Sequence, residues 1–91
     1  MRHARPDDLD RIETLLDELR KVDGLKEKTR GSFYRGSKGF LHFHEHQGDI
    51  VADVRLAGPN AEFERRVVTT RAAQRALVSD VKRTVRSAVA G

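Results

Sequence analysis

Between Phe40 and Leu56 the sequence FLHFHEHQGDIVADVRL alternates apolar and polar residues on both sides of a Gln-Gly pair. No other stretch restricts the fold as strongly. Successive strand residues point to opposite faces, and a two-residue turn between two such runs makes an antiparallel hairpin. With Gln47-Gly48 as the turn, His46 faces Asp49, His44 faces Val51, His42 faces Asp53 and Phe40 faces Arg55. Leu41 then meets Val54, and Phe43 meets Ala52. One face collects Leu41, Phe43, Ile50, Ala52, Val54 and Leu56. The other collects Phe40, His42, His44, Val51, Asp53 and Arg55. A slip of one residue would mix the two sets, so the pattern itself fixes the register. Glu45 falls on the apolar side, at the strand's end.

The flanking sequence has a different period. Leu9, Ile12, Leu15, Leu16, Leu19 and Val22 share one arc at ~100° per residue, which predicts a helix over 6–22. Pro6 suits its first turn, and Gly24 marks a stop beyond its end. A second helix is predicted over 70–88, with Thr69 or Thr70 as N-cap and Leu77, Val78, Val81, Val85, Ala88 and Val89 on one arc. Between the helices, strands are expected over 28–34, 40–45, 49–56 and 62–68, separated by RGSKG, HQG and AGPN. The predicted fold is α+β, in the order α-β-β-β-β-α. It is a four-stranded antiparallel meander with both helices packed on one face and the other face open to water. The 91 residues form a single domain, with 1–5 expected as a disordered N-terminal tail.

Composition narrows the function classes. The chain has no cysteine, which removes disulfides, thiolate chemistry and cysteine-ligated zinc. No apolar run approaches the ~18–20 residues that cross a bilayer, and the start, MRHARPDDLDRIE, lacks the apolar centre of a signal peptide. A cytoplasmic protein without a membrane partner is expected. The net charge of +4 supports weak attraction to polyanions.

Taking RGSKG as a five-residue loop sets Tyr34 opposite Phe40 and Phe33 opposite Leu41. The open face is then expected to carry Arg30, Tyr34, Phe40, His42, His44, Asp53 and Arg55. Tyr34 and Phe40 would be stacking platforms beside cations that meet phosphates, the logic of sheet-based single-strand readers. His42 and His44, two apart on one strand face, can also chelate one metal ion, with Asp53 as a third ligand and His46 joining if the strand continues. A hydrogen-bonded His–Asp pair is the structural alternative. Ser32, His42 and Asp53 can be drawn as a triad, but without a pocket or oxyanion hole the pattern does not predict an enzyme. Burial of the face in a homodimer or against another partner is a further reading. On the last helix Arg71, Arg75, Lys82 and Arg86 form a basic stripe, expected to pair with Asp10, Glu13 and Asp17 on the first.

The element order and the run KGFLHFHEHQGDIVADVRL resemble the MmcQ/YjbR-like proteins, whose fold is related to the CyaY-like α+β domain. That resemblance implies DNA binding. The chain also looks like small actinobacterial proteins with an FLHFHE strand. No functional residue carries over from either group. The expectation is a non-enzymatic binding domain that needs no cofactor and takes its ligand on the open sheet face. Nucleic acid is the leading ligand, and metal or a protein partner is the alternative.

Overall fold

The computed structural model describes the backbone over residues 1–90 and side chains through residue 86. The order is β1 (Arg2–His3), α1 (Pro6–Asp10), α2 (Glu13–Arg20), β2 (Lys26–Thr29), β3 (Ser32–Arg35), β4 (Lys38–His46), β5 (Asp49–Val54), β6 (Glu64–Val67) and α3 (Arg71–Ala90). The fold is α+β. Its antiparallel sheet has six strands in the order β2-β3-β4-β5-β6, with β1 paired to β4. Among the described residues no helix is long and apolar enough to cross a membrane.

The central hairpin has the predicted register, from Leu41 opposite Val54 to His46 opposite Asp49. Gln47 and Gly48 both take positive φ, 51° and 88°, as a two-residue turn matched to strand twist requires. Glu45, the misplaced charge, accepts a hydrogen bond from the Gly48 N–H at 2.8 Å and so closes the turn. Leu41, Phe43, Ile50, Ala52 and Val54 lie in one buried cluster with Leu15, Leu16 and Leu19 of α2 and Leu77, Val78, Val81 and Val85 of α3. Both helix faces therefore pack on the predicted side of the sheet. The expected core positions Ala88 and Val89 lie outside the residues whose side chains are described.

Several expectations need correction, beginning with the strand count, which is six and not four. The strand expected over 28–34 is two strands, because Arg30-Gly31 is itself a turn, with Gly31 at φ +82°. A Cβ on Gly31 would also come within 2.9 Å of Leu9. The helix expected over 6–22 breaks at residues 11–12. Ile12 leaves helical geometry at φ −121° and sinks into the core at 1% exposure. Residues 1–5 are not a free tail. The Arg2 guanidinium donates to Asp8 at 2.7 Å, and the Ala4 N–H donates to the Phe43 carbonyl at 3.1 Å. Asp8 also accepts from the Arg5 N–H at 2.9 Å, so one carboxylate starts α1 and anchors β1. These contacts hold its carboxyl below the usual range, the Arg5 N–H foremost and the Arg2 guanidinium next.

A further correction is Phe40, expected outside and found 1% exposed in the core. The connection from β3 to β4 is a two-residue turn, Gly36-Ser37, that pairs Arg35 with Lys38 and Tyr34 with Gly39. The ladder then resumes at Phe33 opposite Leu41, which leaves Phe40 as an extra residue. A bulge of this kind re-aims one side chain, so Phe40 joins Leu41 beneath the helices. The ion pairs also differ from expectation. Arg30, at the turn, bonds Asp10 at 2.7 Å and Glu13 at 2.9 Å, and Arg20 bonds Glu13, Asp17 and Glu27. From the basic stripe, Arg71 reaches Glu18 of α2 at 3.1 Å, not the acids expected.

Phe40→Ala is expected to destabilise the protein by about 3–5 kcal/mol, the cost of truncating a core aromatic. Urea unfolding checks this. A loss under about 1 kcal/mol would return Phe40 to the surface.

Candidate functional site

The site grows out of the hairpin register. His42 and Asp53 are directly opposed on β4 and β5, and His44 lies two residues along on the same face. Directly opposed residues hold their Cβ atoms ~4.5–5.5 Å apart, so three polar side chains from two rigid strands converge. Asp53 is only 7% exposed. Its Oδ2 lies 3.4 Å from His42 Nε2 and 3.1 Å from His44 Nδ1. His44 Nδ1 is buried and, despite the short distance, has no hydrogen-bond partner of acceptable geometry among the described residues. One donor atom from each of the three residues fits within a 4.8 Å span.

Three residues that the sequence reading missed complete the patch. His3 of β1 lies opposite His44, with ring centroids 4.7 Å apart and 6.3 Å to His42. Phe63 packs edge-on against His42 at 4.8 Å. Arg65, opposite Asp53 on β6, places Nε 3.3 Å from Asp53 Oδ1. The same register puts Val67 beside Val51 on this face, while Val68 turns into the core. His3 belongs to a segment too short for periodicity to reveal a strand. Arg65 lies in a run whose apolar residues fall on both sides. Alternation over 62–68 does group Phe63, Arg65 and Val67 on one side, but it does not say which face that side joins.

Of the seven residues expected on this face, His42, His44 and Asp53 form one cluster. Tyr34 lies beside it over Gly39, with Lys28 Nζ 4.3 Å from its ring centroid. Tyr34, Ser32, His3 and His42 line a shallow cavity of about 190 Å³. Arg55 is engaged elsewhere. Its guanidinium bonds the Pro59 and Ala61 carbonyls at 3.3 and 3.1 Å and stacks on Phe63 at 4.2 Å. Arg30 faces the helices and Phe40 lies inside, so neither belongs to the site. His46 is exposed at the hairpin end and is not part of the cluster. The face is consequently less open than expected, because Phe63 and Arg65 cover its β5 side.

Burial is the largest influence on both clustered imidazoles and pushes both pKa values down. Asp53 opposes the shift, while His3 adds to it for both, His44 and Arg55 for His42, and Arg65 for His44. The shift favours the neutral form of both rings, which is the form a metal ion requires.

Comparison with protein-family models, curated proteins and solved structures finds no match for this chain.

The lowered pKa values fix the sign of a pH effect. Below the ordinary imidazole value of 6.5 the unfolded chain binds more protons at these two positions than the folded one. Stability is full above that value and is lost as pH falls toward the depressed folded values. Denaturant titrations of metal-free protein should show this loss beginning below pH 6.5, above the range where the paired carboxylates protonate. The double variant His42→Gln/His44→Gln should flatten it. An equal pH slope in that variant would contradict the assignment.

Proposed function

We propose that the domain is a non-enzymatic binding module that takes one divalent transition-metal ion at His42, His44 and Asp53. The observation that carries this reading is the convergence of two imidazole nitrogens on one buried carboxylate oxygen, with His44 Nδ1 left without a hydrogen-bond partner among the described residues. Donors bound to a tetrahedral ion at ~2.0–2.1 Å stand ~3.3 Å apart along each edge. The separations of 3.1 and 3.4 Å to Asp53 Oδ2 match two such edges. Drawing the imidazole nitrogens together supplies the third. A buried polar atom without a partner carries a desolvation cost, and a metal bond would remove it. Imidazole with carboxylate suits zinc, nickel, copper or iron rather than calcium or magnesium.

Arg65 works against the ion. Its guanidinium neutralises Asp53 in the metal-free protein, and metal must displace it or share the carboxylate. Its side chain is 65% exposed, so it can swing away at little cost.

The nucleic-acid reading draws on the net charge of +4 and on Tyr34 with its neighbouring Lys28. It has less support, because Arg30 and Arg55 spend their guanidinium groups within the protein and Phe40 is no stacking surface.

Titration with Zn²⁺, followed by the imidazole proton and nitrogen signals, tests the metal reading. One equivalent is expected to shift His42 and His44 together, and His44→Ala to abolish saturable binding. Arg65→Ala should tighten it, since the competing cation is gone. Unmoved imidazole signals at stoichiometric zinc would overturn the proposal. Weaker binding in Arg65→Ala would overturn the competitive role of Arg65.

A further inference from the structure

We infer that His3 is a fourth metal ligand, and that the ion locks strand β1 onto the sheet. This inference rests on the metal reading above and adds a residue and a structural consequence to it.

The placement of His3 follows from how β1 is held. Arg2 and His3 point to opposite faces, as neighbours on a strand must. Arg2 reaches Asp8 on the helix side at 2.7 Å and Glu45 at 3.6 Å. His3 is therefore directed to the histidine face, opposite His44. On its other side the Ala4 N–H bonds the Phe43 carbonyl and Ala4 packs on the core. The imidazole is aimed by the backbone pairing on both sides of it, although its side chain is exposed.

Two of the three ring spacings agree with a shared ion. A metal–nitrogen bond of ~2.0–2.1 Å places the ion ~3.2 Å from each ring centroid, so two imidazoles on a tetrahedral ion have centroids ~5 Å apart. The three separations here are 5.0 Å for His42–His44, 4.7 Å for His3–His44 and 6.3 Å for His3–His42. The first two fit, whereas the His3 ring must move about 1 Å toward His42 to join the compact donor set of His42, His44 and Asp53. Three imidazoles and one carboxylate make a complete four-coordinate set. Without His3 the set is three-coordinate.

The structural consequence is specific. Four ligands from β1, β4 and β5 would tie a two-residue strand to the most buried part of the sheet. β1 is otherwise held by a few contacts, which makes it one of the first elements to open. Binding to the closed arrangement favours it over the open one.

The test compares wild type, His3→Ala and His3→Phe by zinc titration calorimetry, with amide hydrogen exchange at Ala4. His3→Phe keeps an aromatic ring against His44 and removes the ligand. Both variants are expected to bind zinc more than about 10-fold more weakly than wild type, at least the loss that removal of an outer-shell partner causes. Zinc should slow exchange of the Ala4 amide in wild type and in neither variant. If wild type binds zinc and both variants match its affinity, this inference falls and the three-residue site stands. If His3→Phe alone retains full affinity, the role of His3 is packing and the inference also falls. Weaker variants with no zinc-dependent protection of Ala4 in wild type would show that His3 supports the site without ligation. If wild type binds no zinc, the metal reading falls and takes this inference with it.

Discussion

The six-pair ladder between β4 and β5 is the constraint on which the rest depends. Its turn allows one register, and that register performs two tasks at once. It turns Leu41, Phe43, Ile50, Ala52 and Val54 under the helices, where they form the sheet's share of the core. It also brings His42, His44 and Asp53 together on the opposite side. The two outcomes cannot be separated, because a one-residue slip would bury imidazoles and expose leucine and phenylalanine. The stability of the core therefore holds the geometry of the site. Loss of the hairpin register would remove both.

Much of this was legible in the sequence, and what was not has identifiable physical causes. Period-2 alternation gave the hairpin and its partners, and period-3.6 arcs gave the helical segments. Thr70 accepts from the Ala73 N–H at 3.1 Å, as an N-cap should. The errors cluster where one residue changes the geometry. Arg30-Gly31 makes a turn without the Asn-Gly or Asp-Gly signature, so a hairpin read as one strand. Gly36-Ser37 turns in two residues, and the bulge at Phe40 then restores the pairing of Phe33 with Leu41. Alternation cannot foresee an inserted residue, and Phe40 was placed on the wrong face for that reason. The β1 strand escaped detection because two residues carry no period. Its place is set by the Arg2–Asp8 pair, a contact between residues six apart that no periodic pattern encodes.

The metal-free cluster is polar, half-buried and incompletely satisfied. Asp53 is shared among two imidazoles and one guanidinium, and His44 Nδ1 has no acceptable acceptor among the described residues. Buried polar groups that lack partners lower stability. A β4–β5 pair with Thr or Val at these positions would satisfy the same alternation without that cost. Natural chains tolerate such local conflict mainly where a site requires it. The surrounding residues fit this view. Phe63 packs edge-on against His42 and Val51 lies opposite His44, while Arg65 balances the Asp53 charge.

The central claim is that two opposed strands and β1 present imidazole nitrogens and one carboxylate oxygen to a single ion. Zinc K-edge X-ray absorption of the protein loaded with one equivalent tests it most directly. The account predicts a first shell of about four nitrogen and oxygen donors at about 2.0–2.1 Å, with the outer-shell scattering of coordinated imidazole rings. A shell of oxygen atoms without imidazole scattering would contradict it, because the zinc would then be held by surface carboxylates and water rather than by the histidine face.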